Sequence, residues 1–216
     1  MLLPLFLWRP VARFLNRQTG MRTRLAGLLR HGIVKQVSCY GYQARLDSRF
    51  LVDGIYLLLQ EFDPDYDDFC RSCLTPGAVL ADLGSHAGIT MFSALQSVQG
   101  QARIYGFEPD PKQYARCIYN LGLNPELADR VNVFPVAASD TDGEVRFQDS
   151  GEEGPADSVA GRGHYIADPE GKLVVASRRF DHWVAEEGLE RLDCIKCDVE
   201  GHELQALGGA LESIRR

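Results

Sequence analysis

Four acidic residues each close a short apolar run: Asp82, Glu108, Asp140 and Asp198. Short apolar runs bounded by turn residues read as buried strands. Ligands of open α/β sheets sit beyond the carboxyl ends of the strands, so these acids mark one candidate site. Carboxylates there can accept hydrogen bonds from hydroxyls and favour a cationic ligand. Lys196 and Glu200 flank Asp198 at alternate positions. If the strand continues through them, all three side chains share a face. A lysine in a buried strand needs a partner, and Asp198 or Glu200 is expected to provide it. Asp198 is then assigned to the donor or acceptor side of a transfer reaction, Glu200 to general base or acceptor binding, and Lys196 to orientation. The competing expectation is a structural ion pair, with Glu200 and Glu203 serving a helix N-terminus.

The strongest local pattern is Val79-Leu80-Ala81-Asp82-Leu83-Gly84-Ser85-His86-Ala87-Gly88. It reads as a buried strand turning over a ligand into a helix. Gly84 lets the backbone approach a ligand without a Cβ, and Gly88 lets the helix start pack close to the strand. The amides at the helix start are expected to be open donors, and Asp82 can brace the turn. Glu108 lies 24 residues beyond Gly84, the spacing at which a strand-end acid takes ribose hydroxyls. Two ligand classes fit. A dinucleotide needs a pyrophosphate cradle, yet the middle glycine is missing and Asp82 would repel the phosphates. S-adenosylmethionine carries an ammonium and a sulfonium and no phosphate, so charge complementarity favours it.

Four pieces of the chain resemble the FkbM-type S-adenosylmethionine-dependent methyltransferases: Ala81–Gly88, Phe107-Glu108-Pro109-Asp110, Ala137-Ala138-Ser139-Asp140, and Ile195-Lys196-Cys197-Asp198-Val199-Glu200-Gly201. Their order and spacing agree from about residue 50 onward. His86 stands where that family usually has Asn. The resemblance implies donor binding by Asp82, Gly84, Ser85, His86, Gly88, Glu108, Ala138 and Asp140. It implies transfer to a hydroxyl of a carbohydrate, glycolipid or polyketide-type acceptor, with Asp198, Glu200 and Lys196 catalytic. A nicotinamide-dependent oxidoreductase and a non-catalytic cofactor-binding or assembly module are the alternatives. His86 and His202 are secondary candidates, with His202 expected to be solvated; His164 is incidental.

At 216 residues and a net charge of −7, the chain suits a soluble α/β domain, and nucleic acid is not its default partner. The first 46 residues hold eight Arg and Lys and no acid, so residues 1–60 are read as a basic extension and 61–216 as the methyltransferase domain. An amphipathic segment there could touch anionic lipid, although a packing helix is the simpler expectation. Its apolar run is too short to span a bilayer. Six cysteines include the pairs Cys70/Cys73 and Cys194/Cys197. Residues three apart on a strand face opposite ways, so no metal site is assigned, and reduced, mostly buried thiols fit a cytoplasmic protein.

The expected architecture is a doubly wound, mostly parallel sheet of the Rossmann-like class I methyltransferase type. Helices are expected over 1–30, 51–59, 65–74, 87–98, 112–121 and 202–214. Strands are expected over 78–83, 103–107, 131–136, 144–148, 173–177 and 192–197, with a hairpin at 33–46 and a loop at 150–172. Methyltransferases of this fold usually add three strands beyond the last helix seen here. The chain is therefore expected to be truncated after the fourth core strand and its helix, leaving an apolar sheet edge.

Overall fold

The computed structural model describes residues 32–149, 165–167 and 171–215. They form two compact units: the described residues up to Leu74 together with Phe92–Gly100, and Thr75–Met91 with Gln101 onward. The helix expected over residues 1–30, with the packing role preferred for it and the lipid contact weighed against that, lies outside the described residues.

In the first unit, β1 (Val34–Cys39) and β2 (Tyr42–Asp47) form the expected antiparallel hairpin. Helix α1 (Leu51–Leu59) follows, with Ile55 and Leu59 buried. Helix α2 (Pro64–Cys73) starts where a sequence would start it: Asp63 caps the backbone N–H groups of Asp65 and Tyr66, and Pro64 occupies the first turn. Asp67 is buried, accepts from the Tyr40 hydroxyl at 2.8 Å and from Ser93, and is pushed up to about 6 by that burial.

The second unit is built on a four-stranded, fully parallel sheet of β3 (Val79–Leu83), β4 (Arg103–Phe107), β5 (Val131–Phe134) and β10 (Cys194–Cys197). Their order across the sheet is β5-β4-β3-β10. The chain therefore runs outward from β3 in one direction and returns to its other side with β10. In sheets of this kind such a reversal leaves a crevice at the carboxyl ends of the two flanking strands, here β3 and β10, where ligands sit. Among the described residues β10 is an edge strand. Helix α3 (Ile89–Ser97) follows β3, and α4 (Pro111–Gly122) follows β4. Asp110 caps α4 at the backbone N–H groups of Lys112 and Gln113.

A second sheet has the order β6-β9-β7-β8, from β6 (Ala137–Ser139), β7 (Gly143–Asp149), β8 (Tyr165–Ala167) and β9 (Leu173–Arg179). This corrects three expectations. The strand expected to run to Val136 stops at Phe134. Pro135 cannot donate to a ladder, and the chain restarts in the other sheet. Residues 165–167 pair with β7 inside the expected loop. The helix expected over 202–214 is two helices, α6 (Glu203–Gly208) and α7 (Leu211–Ile214). Successive glycines 208 and 209 disfavour helix, and Gly209 lies so close to the Ser139 carbonyl that a Cβ would fall on it.

Helix α5 (Phe180–Glu186) was not expected; its seven residues bury Phe180, Trp183 and Val184. Trp183 meets Phe107 edge-on with centroids 4.9 Å apart, and also contacts Tyr105, Phe134 and Phe180. Asp181 of α5 accepts from the backbone N–H groups of Glu212 and Ser213, capping α7 from a distance. The Trp183 indole N–H has no hydrogen-bond partner among the described residues, so its contribution is packing. Trp183→Ala is expected to lower the unfolding free energy by about 3–5 kcal/mol. Trp183→Phe should cost clearly less, as read by urea unfolding followed by circular dichroism.

Candidate active site

Asp82 ends β3 directly beside Lys196 of β10; the two are register partners in the parallel ladder. The Lys196 ammonium donates to Asp82 Oδ1 at 2.9 Å and to the Gly84 carbonyl at 3.1 Å. Asp198 Oδ2 lies farther away, at 4.0 Å. The partner expected for Lys196 was Asp198 or Glu200; the structure gives it Asp82 as the hydrogen-bonded partner and keeps Asp198 as a second, longer ion pair. Burial works against the lysine's charge, but Asp82 and Asp198 outweigh it and hold its pKa above the ordinary lysine value. The second Asp82 oxygen accepts from Thr90 Oγ1 at 2.8 Å. Asp82 thus braces both the turn and the first turn of α3, through Thr90 and Lys196 rather than through backbone amides.

The strand does not continue through Glu200. β10 stops at Cys197, and Glu200 adopts φ +55° in the following turn. Lys196, Asp198 and Glu200 therefore do not share one strand face. Asp198 keeps a side chain 64% exposed, and Glu200 is exposed. The turn after β3 lies against this segment: a Cβ on Gly84 would fall on the Asp198 carbonyl oxygen, and Gly84 adopts φ +86°.

Four amides of the glycine turn are already engaged within the protein. Those of Gly84 and Ser85 both donate to the Phe107 carbonyl, at 2.9 and 3.1 Å, and that of Gly88 to the Ser85 carbonyl. The His86 N–H donates to Glu108 Oε2 at 2.7 Å, with His86 at φ +49°. The Ser85 hydroxyl turns inward to the Asp82 carbonyl at 2.9 Å. Gly88 packs not on the strand but on α4, where a Cβ would come within 3.3 Å of Cys117 Sγ. Asn120 of α4 holds the Ala87 carbonyl at 3.0 Å.

Glu108 is buried, and its other oxygen accepts from the Asp110 N–H at 2.9 Å. Burial, reinforced by Asp110 and Asp82, pushes it up to about 7, against the pull of the two backbone donors. Each of its oxygens retains a lone pair for a ligand hydroxyl.

Ala138 and Asp140 stand apart from this group. Asp140 follows β6, in the second sheet, and is exposed, while the Ala138 methyl lies in the aromatic core. Asp140 Oδ1 accepts from Ser139 Oγ at 3.3 Å, and Ser139 Oγ meets His202 Nε2 at 3.1 Å. His202, expected to be solvated, is 6% exposed, and burial lowers its pKa against the opposing pull of Asp140 and Glu203. Glu203 accepts from the Gly201 N–H at 3.0 Å, which ties the turn that precedes α6. Thr90, Asp110 and Ser139 contribute to this framework without having been expected in it. Asp110 was visible as Asp-Pro before a helix; Thr90 and Ser139 carry no such signal. Among the described residues no cluster of three or more His, Cys, Asp or Glu could hold a metal ion, and no helix is long and apolar enough to cross a membrane.

Residues 82–216 match the family described as Methyltransferase FkbM domain. The chain is 32% identical over 193 residues to a 2-O-methyltransferase, NoeI, of Sinorhizobium fredii, covering 78% of this chain and 77% of that one. It is 28% identical over 205 residues to a hexuronic acid methyltransferase, AglP, of Haloferax volcanii, covering 87% and 73%. Among solved structures, a methyltransferase FkbM from Methylobacillus flagellatus KT aligns with a TM-score of 0.48 at 19% identity; the match covers 75% of this chain and 40% of that one.

The Asp82–Lys196 pair is nearly enclosed, with side chains 4% and 12% exposed. Asp82→Asn is expected to leave the buried ammonium without its counter-charge and to destabilise the fold by about 3–5 kcal/mol. Adding Lys196→Met should recover at least half of that loss in urea titrations.

Proposed function

Because this chain belongs to the FkbM methyltransferase family, we propose that it uses S-adenosylmethionine to methylate a hydroxyl of a carbohydrate. The observation that carries the choice of donor is the state of the glycine turn. The amides of Gly84, Ser85, His86 and Gly88 are already committed to the protein's own acceptors, so they offer no cradle to a pyrophosphate. The same turn is bordered by the carboxylates of Asp82 and Glu108, with Asp198 near the Lys196 that faces it. Such a site suits a ligand that is cationic and free of phosphate. Sugar as acceptor is supported by the relatives, named as a 2-O-methyltransferase and a hexuronic acid methyltransferase. A cytoplasmic location belongs to the same proposal and rests on the cysteine argument.

The sulfonium of the donor supplies a methyl group already activated for in-line transfer. What the chain must add is position and a place for one proton. Glu108 would hold the ribose hydroxyls of the donor with its remaining lone pairs. Gly84 brings the turn against the Asp198 backbone without a side chain in the way. The Asp82–Lys196 pair fixes the width of the crevice between β3 and β10. Asp198 and Glu200 stand exposed at its rim, where an acceptor would arrive. In the transfer the methyl group would leave the sulfonium sulfur, which becomes a neutral thioether, for the acceptor oxygen. The Glu200 carboxylate would take the acceptor's proton, and Asp198 would orient the acceptor.

Calorimetric titration with S-adenosylmethionine, S-adenosylhomocysteine and NAD tests the donor class: the first two should bind and NAD should not. Glu108→Ala is expected to weaken donor binding about 10²-fold or more, through loss of two charge-assisted hydrogen bonds; unchanged affinity would remove Glu108 from the site. The ionised carboxylate is the better acceptor, and Glu108 titrates at about 7. Donor affinity should therefore rise from pH 6 to pH 8, and a Glu108→Gln variant should lose that rise. Glu200→Gln should keep donor binding while turnover on a sugar acceptor falls about 10²–10⁴-fold.

A further inference from the structure

We infer that His202 is a positioning residue: its hydrogen bond to Ser139 fastens the turn that carries Asp198 and Glu200 onto the end of β6. The structural tie stands on its own geometry, while its consequence for turnover rests on the function proposed above.

The protons in this contact can be assigned from chemistry. The Asp140 carboxylate only accepts, and Ser139 has one hydroxyl proton. With Ser139 donating to Asp140 at 3.3 Å, its oxygen must accept from His202 at 3.1 Å. That places the ring proton on Nε2 and leaves the lone pair on Nδ1. Nδ1 is buried without a hydrogen-bond partner among the described residues, so the ring's one directional tie is to Ser139. Phe147 of β7 meets the imidazole edge-on, with centroids 6.2 Å apart. Behind the ring, α6 lies on β6 through the close approach of Gly209 to the Ser139 carbonyl.

The turn needs such an anchor. Glu200 at φ +55° and Gly201 at φ +93° are both left-handed. For glutamate this conformation is unfavourable, and strained residues persist where their surroundings over-determine them. Two side chains do so here: Glu203, which accepts from the Gly201 N–H, and His202, which binds Ser139 across to the other sheet. The second fixes the turn to a distant element.

Three variants separate positioning from packing. His202→Gln puts an amide N–H near the place of Nε2 and keeps a donor for Ser139. His202→Asn is too short to reach it, and Ser139→Ala removes the acceptor. Amide hydrogen exchange over residues 198–203 of the full chain should stay near wild type in the Gln variant. It should quicken by about tenfold or more in the other two. At a temperature where circular dichroism shows all variants folded, kcat/KM on a sugar acceptor should fall about 10²-fold in His202→Asn and Ser139→Ala. Most of that loss should be recovered in His202→Gln, with donor affinity unchanged throughout. Equal exchange rates in the Gln and Asn variants, or wild-type turnover in Ser139→Ala, would overturn the inference. If the wild-type chain neither binds the donor nor transfers methyl, the proposed function fails, and the exchange comparison still decides whether the tie holds the turn.

Discussion

Lys196 sits on β10 directly across from Asp82 on β3, and its ammonium meets the Asp82 carboxylate and the Gly84 carbonyl together. A buried pair of this kind is weak evidence for net stability, since desolvation offsets most of the attraction. Its effect is geometric. Two strands that reach this point from opposite directions of the winding are held in one register, and the crevice between their ends acquires a fixed width. Thr90 takes the other Asp82 oxygen, so the start of α3 is set by the same carboxylate. Remove the charge on β10 and the strand end, the glycine turn and the helix start lose their common reference.

The same economy governs the turn itself. Phe107 offers one carbonyl to two amides, and Glu108 takes a third, so the loop is closed on the end of β4 before any ligand arrives. In the proposed site, recognition would fall to carboxylates rather than to a nest of backbone donors, which favours a cationic ligand without phosphate. Asp140 and Ala138 belong to a neighbouring framework, in which β6 and α6 are joined by His202 and Ser139.

Much of this was legible in the chain because it is local. Arg103–Phe107 and Leu51–Leu59 follow from apolar pattern alone, and the helix starts at Pro64 and Pro111 follow from Asp-Pro caps. The acids at strand ends were visible for the same reason. What stayed hidden depends on partners far away in sequence. Lys196 looks paired with its sequence neighbours, yet its counter-charge stands on another strand. Pro135 marks a change of sheet, but no periodicity says which sheet comes next. α5 is too short to show a helical repeat, and β8 lies in a run of turn-forming residues. His202 reads as an exposed helix-start residue because nothing nearby announces Ser139.

Cys117 occupies the space that a side chain at Gly88 would need. Its thiol is fully buried, and burial together with the charges of Asp82 and Glu108 pushes its ionisation far above the usual thiol range. Only the thiolate reacts appreciably with oxidants and alkylating reagents. The sulfur that packs beneath the turn is therefore chemically silent, as is buried Cys39 in the other unit. Oxidative stress would register first at Cys73, which is exposed and belongs to the first unit. The packing of this turn is insulated from redox chemistry first by burial, and then by the carboxylates of Asp82 and Glu108 that border it.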